Sequence, residues 1–383
     1  MVPNEWEILS LSQVSKVIDC KHRTPHYVES GIPLISPGTI KWGALDLTSP
    51  TKRVTEDEYQ SLMDHCTVEI GDLVMSRNQS VGVLSFVDSM KPFVLGQDTV
   101  LIKAEKSDSK YLFYKIQSEE VQKRIVRLAG GSTFTRINLA DIRKLILECP
   151  PLVEQKKIAQ ILSTWDQAIS TTEKILENSQ QQKKALMQQL LTGKKRLLDE
   201  NGRSFSEEWQ SGHLVDIAKI SKGKALSSKD LKSGSYPVIA GGKTSPYTHS
   251  EYTHENVITV SASGAYAGYV AFYPYKIWAS DCSVVSNKIG SDINFIYQLL
   301  ISMQTIIYSL QSGGAQPHIY PKDIESLKVL IPPLVEQQKI AKFFAVVDQE
   351  IDTLQKKLEC LKQEKKALMQ QLLTGKKRVK VAA

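Results

Sequence analysis

Two long stretches of the chain have hydrophobic and polar positions at helical spacing. They span residues 150–192 and 332–374, and each opens with a Pro pair and contains neither Gly nor Pro after it. Pro suits the first turn of a helix, and the glycines that follow, Gly193 and Gly375, suit its C-terminal cap. Each stretch therefore predicts one helix of about 40 residues, roughly 60 Å long.

Apolar residues recur in both helices at alternating steps of four and three, a period of about 3.5 residues that is typical of a coiled coil. The first seam consists of Ile158, Leu162, Trp165, Ile169, Thr172, Leu176, Ser179, Lys183, Leu186 and Leu190. The second seam consists of Ile340, Phe344, Val347, Ile351, Leu354, Leu358, Leu361, Lys365, Leu368 and Leu372.

The chain between the two helices must return before the second helix can lie against the first, so we expect an antiparallel pair. The alternative is two separate helices, each packed on its own domain, which the unbroken length makes less favourable. Lys183 and Lys365 occupy matching seam positions. They either mark the register or extend to solvent, and we favour extension to solvent.

The two helices belong to an internal repeat. PPLVEQKKIAQIL at 150–162 matches PPLVEQQKIAKFF at 332–344, and KKALMQQLLTGKKR occurs unchanged at 183–196 and 365–378. Both pairs have the same offset, 332 − 150 = 365 − 183 = 182, and the two 47-residue blocks share 31 identities. The repeated helices therefore suit two copies of one protein partner.

The segments before the two helices are far less alike. Each begins with a Glu-Trp pair, at 5–6 and 208–209, so their offset is 209 − 6 = 203 and the second segment is 203 − 182 = 21 residues shorter. We predict a first variable domain at 1–149, a first helix at 150–197, a second variable domain at 198–331, and a second helix with a basic tail at 332–383. Two divergent domains suit two different ligands.

Composition favours a globular protein with a polyanionic partner. Of the 383 residues, 42% are hydrophobic and 23% charged, and the formal net charge is +7. Such an excess of Lys and Arg fits double-stranded DNA, on which two separated domains would read a bipartite, asymmetric site. No signal peptide or membrane-spanning run is visible, so we expect a cytoplasmic protein.

The sequence gives no sign of catalytic or metal chemistry. The five cysteines are scattered and the histidines lack metal-ligand spacing, so we expect no metal site. Gly241-Gly242-Lys243-Thr244 ends like a P-loop, but Pro237 stands where the first glycine is needed. The Pro pairs lack the amide and aromatic neighbours of an amino-methyltransferase motif. We therefore expect a non-catalytic chain without a cofactor of its own.

Four motifs occur twice in the same order: a Glu-Trp pair, a GGS or SGG turn, a PPL-x-EQ-x-KIA helix start and an LLTGKKR helix end. This ordered duplication resembles the type I restriction–modification specificity subunit. The resemblance covers essentially the whole chain. It implies an α/β (α+β) fold, with two mixed α/β target-recognition domains and two long helices. It also implies that the helices hold two methyltransferase subunits that use S-adenosylmethionine, and that two ATP-driven restriction subunits can join them.

Candidate base-reading side chains lie in polar loops, because Arg matches guanine edges and Asn or Gln matches adenine edges. In the first domain they are Lys21, Arg23, Thr24, Arg77, Asn78, Gln79 and Arg136, with Thr133 and Phe134 beside the last. In the second domain they are Lys222, Lys224, Lys243, Tyr266, Gln316 and His318. Each could equally belong to a solvated turn.

Three alternatives stay open at this point. The basic segments that follow the two helices, at 194–196 and 376–378, either interact with the helix dipole or contact phosphates or a partner. The chain could instead be a coiled-coil adaptor whose domains bind proteins. It could also be an enzyme with a fused methyltransferase or nuclease, which the missing motifs count against.

Overall fold

The computed structural model describes residues 3–130, 135–313 and 316–380. It divides into two compact units, which are treated separately below. Unit 1 consists of Met1–Thr172 and Lys357–Ala383, and unit 2 consists of Glu173–Lys356. Within the described part of the chain, no helix is both long enough and apolar enough to cross a membrane.

Unit 1 contains a mixed α/β domain and parts of both long helices. Its strands are β1 (Glu7–Ser10), β2 (Ser15–Asp19), β3 (Ile32–Ile35), β4 (Gly43–Ala44), β5 (Arg53–Val54), β6 (Leu73–Ser76), β7 (Leu84–Phe86), β8 (Val94–Leu95), β9 (Thr99–Ala104) and β10 (Ile146–Cys149). Its helices are α1 (Leu11–Val14), α2 (Glu56–Met63), α3 (Ser109–Gln117), α4 (Glu119–Leu128), α5 (Leu139–Arg143) and the first part of α6 (Leu152–Leu190).

Unit 2 has the same kinds of element. Its strands are β11 (Gln210–His213), β12 (Ala218–Lys222), β13 (Tyr236–Ile239), β14 (Thr248–His249), β15 (Val257–Ser261), β16 (Val270–Tyr273), β17 (Trp278–Ala279), β18 (Cys282–Asn287) and β19 (Lys328–Ile331). Its helices are α7 (Leu214–Ile217), α8 (Ile293–Ser302), α9 (Gln304–Ser309), α10 (Pro321–Glu325) and the first part of α11 (Leu334–Leu372).

The sheets of the two units have matching strand orders, except that β4 of unit 1 has no counterpart in the unit 2 sheets. Unit 1 has sheets β2-β9-β6-β7-β4, β5-β3-β8 and β1-β10, and unit 2 has β12-β18-β15-β16, β14-β13-β17 and β11-β19. The offset falls from 204 between β3 and β13 to 184 between β6 and β15. Thus 20 of the 21 extra residues of the first domain lie in the stretch between β3 and β6, which holds α2.

The core of each unit includes residues from both long helices. In unit 1, Leu73 of β6 and Tyr111 of α3 share one core with Leu162 of α6 and Leu372 of α11. β6 and β15 are buried along their whole length, which explains their continuous apolar and β-branched runs, LVMS and VITVS. The helices and the variable domains are therefore packed as one body within each unit.

The predicted α/β fold with an antiparallel coiled coil is confirmed. Every predicted seam residue is buried or half-buried. In unit 1, Lys365 pairs with Asp166 across the two helices, and in unit 2 Lys183 pairs with Asp348. The partners of Glu154 and Asp166 in unit 1 are Arg378 and Lys365, and the partners of Lys183 and Arg196 in unit 2 are Asp348 and Glu336. In each unit the partner number falls as the residue number rises, as antiparallel helices require.

The two seam lysines do not extend to solvent, so that expectation was wrong. The side chains of Lys183 and Lys365 are only 17% and 14% exposed, and each Nζ lies 2.5–2.6 Å from an aspartate oxygen. The aspartates also accept hydrogen bonds from Gln298 and Tyr114, one from the variable domain of each unit. Each lysine–aspartate pair therefore fixes the register of the helices, and its aspartate links them to a variable domain.

A buried glutamate near the start of each long helix joins three distant segments. Glu154 accepts a hydrogen bond from Trp6 Nε1 at 3.2 Å and another from Arg378 Nε at 2.7 Å. In unit 2, Glu336 accepts from Trp209 Nε1 at 2.9 Å and from Arg196 Nη2 at 2.6 Å. We call each set a glutamate clamp.

The clamps account for the repeated sequence motifs. Each clamp connects three motifs within one unit: the Glu-Trp pair at the start of the variable domain, the PPLVEQ start of one long helix, and the GKKR segment after the other long helix. Arg196 and Arg378, in the basic segments that follow the two long helices, each pair with a clamp glutamate. Neither the helix-dipole alternative nor the phosphate or partner alternative predicted these pairs. Gly193 has a φ of +69°, and a Cβ added there would contact the Trp209 ring at 3.4 Å. This glycine lets the exit turn tightly against the tryptophan.

The glutamine after each clamp glutamate fixes the helix to its domain. Gln155 donates to the Pro150 carbonyl and accepts from the Asp108 amide, at 2.8 and 2.9 Å. Gln337 makes the same contacts with Pro332 and Asp292, at 2.8 and 3.0 Å. Asp108 and Asp292 are the N-caps of α3 and α8, so this glutamine ties the helix start to a capped helix of the domain.

We predict that Glu336→Ala lowers the free energy of unfolding of unit 2 by about 2–3 kcal/mol, because it leaves the half-buried Trp209 N–H and the Arg196 guanidinium without their charged acceptor. Glu350→Ala, which removes an exposed glutamate of the same helix, should cost less than about 0.5 kcal/mol. Urea unfolding of both variants measures the difference. Equal losses would show that the clamp contributes no specific stability.

Candidate functional site

Three loops of unit 1 meet beside the ends of β6 and β9. The Arg77 amide donates to the Asp98 carbonyl at 2.8 Å, and the Ile137 amide donates to the Arg77 carbonyl at 2.9 Å. Gly130 and Arg136 exchange two backbone hydrogen bonds of 3.1 Å. We call this arrangement the loop junction of unit 1.

Unit 2 contains the same junction at equivalent positions. The Ala262 amide donates to the Asp281 carbonyl at 3.2 Å, and the Ile319 amide donates to the Ala262 carbonyl at 2.9 Å. Ser312 and His318 exchange the hydrogen bonds that Gly130 and Arg136 make in unit 1. The backbone arrangement is therefore shared although the local sequences differ.

Polar side chains of unit 1 converge on Asp98 at this junction. Its Oδ2 accepts from Asn78 Nδ2 at 2.7 Å, and its Oδ1 lies 2.7 Å from Arg136 Nη2. Arg136 is 44% exposed and pairs through its backbone with Asn78, and the next residue, Gln79, is exposed in a left-handed conformation with φ +53°. The junction thus presents carboxamide and guanidinium groups at a surface.

The junction of unit 2 carries a different set of groups. Ser263 Oγ donates to Asp281, and the Gly264 amide donates to the Pro317 carbonyl at 3.1 Å. His318 stacks on Tyr320 with ring centroids 6.3 Å apart. Nearby side chains of the second variable domain form a further pair, in which Lys243 Nζ lies 5.4 Å from the centre of the exposed Tyr266 ring. Gln316 is exposed beside His318.

Arg77 is placed differently from its expected position in an exposed polar loop. Its side chain is 5% exposed, with Nη1 2.8 Å from Asp19 Oδ1 and Nε donating to the Ile137 carbonyl at 3.3 Å. In this buried position Arg77 stabilises the loop junction through its contacts with Asp19 and Ile137. A direct base-reading role for Arg77 stays a prediction, and it would require the side chain to leave the Asp19 ion pair.

Lys21 and Arg23 line a cavity beside the loop junction of unit 1. Lys21 pairs with Asp64 at 2.6 Å, and Arg23 binds both carboxylate oxygens of Glu58. The Arg23 hydrogen bonds, with the His26 amide, lower the pKa of Glu58 to about 2. A cavity of about 220 Å³ brings Lys21 and Arg23 together with Asn78 and Gln79, while Thr24 is exposed nearby.

Lys222 and Lys224 occupy comparable positions in unit 2. Lys222 ends β12 and lines a cavity of about 280 Å³ with Asp281 and His318. Lys224 Nζ lies 5.1 Å from the centre of the Trp278 ring. The structure therefore brings candidates from separate sequence loops together within each unit. Thr133 and Phe134 lie outside the described residues.

One side-chain cluster of unit 1 has metal-binding atom types. Asp19, Cys20 and His22 place ligand atoms within 4.8 Å of one another. However, Asp19 is already neutralised by the Arg77 guanidinium, whose positive charge opposes a second cation. Burial also raises the pKa of the Cys20 thiol, which disfavours the thiolate that a metal needs. We therefore assign no metal to this cluster.

Asp98 and Asp281 were not among the predicted residues. Both immediately precede a strand, β9 or β18, and their offset of 281 − 98 = 183 is close to that of the repeat. An aspartate retained at this offset inside otherwise dissimilar segments is the signal that could have identified them.

Comparison with known proteins assigns the chain to a family. A family model described as "Type I restriction modification DNA specificity domain" matches residues 3–179 and 206–363. These matches include both variable domains and most of both long helices. The chain belongs to the type I restriction–modification specificity subunits.

Similar proteins agree with this family over nearly the full length. A candidate specificity subunit of type I restriction enzyme MjaX from Methanocaldococcus jannaschii is 28% identical, covering 99% of this chain and 95% of that protein. The MjaVIII specificity subunit of the same organism is 24% identical, with 99% and 94% covered. The crystal structure of a type I S subunit from M. genitalium shares the fold, with a TM-score of 0.68, 19% identity, and 97% and 98% covered.

We predict that Arg77→Ala destabilises unit 1 by about 2–4 kcal/mol, because it removes a buried guanidinium that binds Asp19 and the Ile137 carbonyl. Arg136→Ala, in the same junction, removes a more exposed ion pair and should cost less than about 1 kcal/mol. Urea unfolding compares the two. A small loss for both would contradict the supporting role of Arg77.

Proposed function

We propose that this specificity subunit reads a bipartite, asymmetric site in double-stranded DNA, with one half-site recognised by each variable domain. One observation carries the proposal: the same loop junction occurs in both units but presents different side chains. A shared backbone frame gives both readers one mode of approach, and different donors and acceptors give them different targets.

The chemistry of each junction suits base edges. In unit 1, Gln79 offers an exposed carboxamide that matches adenine, and Arg136 offers a guanidinium that matches guanine. In unit 2, Ser263, Gln316 and His318 offer hydroxyl, amide and imidazole groups. The two half-sites should therefore differ in sequence.

Basic residues around the junctions supply sequence-independent affinity. Lys21 and Arg23 flank the unit 1 junction, and Lys222 lies beside the unit 2 junction, with Lys224 two residues further along the chain. Phosphate contacts of this kind position a protein on the duplex without selecting a sequence. The net charge of +7 supports the same role.

The subunit selects DNA and leaves the chemistry to its partners. This proposal rests on the missing catalytic motifs and on the membership of a DNA-specificity family. S-adenosylmethionine then belongs to the methyltransferase subunits, and ATP belongs to restriction subunits when these are present.

The repeated helices provide two equivalent docking surfaces for two methyltransferase subunits. Leu152 and Val153 are 46% and 61% exposed at the start of α6, and Leu334 and Val335 are 37% and 66% exposed at the start of α11. The same exposed apolar pair thus occurs once in each unit. Such a duplicated patch favours two copies of one partner.

Exchange of residues 1–149 for the first domain of another family member should change one half of the methylated sequence and preserve the other. Mapping N6-methyladenine in cells that carry the hybrid subunit and the partner methyltransferase measures this. The reciprocal exchange of residues 198–331 is the matched control and should alter only the other half. If either exchange changed both halves together, the two domains would not read independently.

Val153→Glu and Val335→Glu should each remove one methyltransferase subunit from the complex, and the double variant should bind none. A charge in the apolar patch must be desolvated on docking, whereas glutamate in a first helical turn leaves the helix itself stable. Native mass spectrometry gives the stoichiometry. Val126→Glu, at a similarly exposed valine outside the repeat, is the control. Two bound subunits in the double variant would place the docking surface elsewhere.

A further inference from the structure

We propose that Asp98 and Asp281 are positioning residues, each of which holds the base-reading side chains of its junction in one orientation. The inference rests on the proposed DNA-reading function and adds residues that determine its specificity. It begins from the equivalence of the two aspartates, since both carbonyls accept the amide of the loop residue after β6 or β15.

Asp98 connects two reader side chains that come from loops 58 residues apart in sequence. One carboxylate oxygen accepts from Asn78, and the other binds Arg136. The carboxylate thereby holds both side chains in one orientation, in which Arg136 is 44% exposed and the Asn78 Oδ1 atom is buried. Asp98 has a φ of +63°, a backbone conformation that Asp and Asn tolerate better than most residues.

The negative charge also controls how Arg136 meets DNA. While Arg136 is bound to Asp98, the guanidinium is held in place and its remaining donors point in a fixed direction. Without that charge, the arginine is free to bind the nearest phosphate. A phosphate contact strengthens binding to every sequence and adds no base discrimination.

Asp281 holds its junction without an ion pair. Its carboxylate accepts from Ser263 Oγ, and the ion pairs of the described residues do not include it. Removing its charge therefore releases a hydroxyl donor but no arginine. The two aspartates should differ in their effect on salt dependence while sharing an effect on specificity.

The test uses Asp98→Asn and Asp281→Asn in the full complex with its methyltransferase. Asp98→Asn should weaken discrimination at one position or more of the first half-site by roughly tenfold. It should also steepen the plot of log affinity against log salt by about one, the signature of a new phosphate contact. Asp281→Asn should weaken discrimination only in the second half-site and leave the salt slope unchanged.

Two controls separate positioning from other effects. Asp88→Asn removes an exposed acid of the same unit and tests the effect of charge alone. Thermal unfolding of each variant tests for a merely structural role. Methylation mapping gives half-site discrimination, and duplex binding at several salt concentrations gives the slope.

Unchanged discrimination in Asp98→Asn, or a change that Asp88→Asn reproduces, would overturn the positioning proposal. A loss of stability with both half-sites still read faithfully would overturn it as well. The proposed function fails separately, if the unmutated complex shows no preference between duplexes or if domain exchange leaves the methylated site unchanged.

Discussion

Each unit depends on a glutamate that is removed from water and must be paired. Glu154 and Glu336 are 2% and 0% exposed, and a carboxylate buried to this degree is tolerated only with strong donors around it. A tryptophan from the start of the variable domain and an arginine from the helix exit supply those donors. The requirement fixes where the domain begins, where one helix starts and where the other ends. It explains why these motifs recur almost unchanged while the sequence between them differs.

The sequence predicted the long helices because their periodic pattern is local and spans many turns. It did not predict the clamps, because Trp6 and Arg378 lie 148 and 224 residues from Glu154 and only tertiary structure brings them together. The seam lysines were misread for the same reason: their aspartate partners lie on the other helix. The common topology of the variable domains was also hidden, because short buried strands require hydrophobic residues but no particular ones.

Sequence reasoning found several loops of the candidate site but not their arrangement. Polar runs identified Asn78, Gln79 and Arg136 as candidates, and the fold places Asn78 and Arg136 at one aspartate. Arg77 shows the limit of residue type as a guide, since a guanidinium adjacent to these groups is buried under the junction. Asp98 carries no obvious recognition chemistry, so its role becomes apparent only through the groups it binds. In the proposed function, specificity depends on supporting residues such as Asp98 as well as on those at the surface.

The division of the chain also has a consequence for the order of folding. Unit 2 is a single continuous segment, whereas unit 1 joins residues 1–172 to residues 357–383, which follow unit 2 in the chain. Leu372 and Leu373 belong to the unit 1 core, and the buried Lys115 donates to the Leu373 carbonyl. During synthesis from the N-terminus, the second variable domain therefore has all its core residues before the first does. Of the two variable domains, the one that is synthesised earlier is thus completed later, when the last turn of α11 emerges.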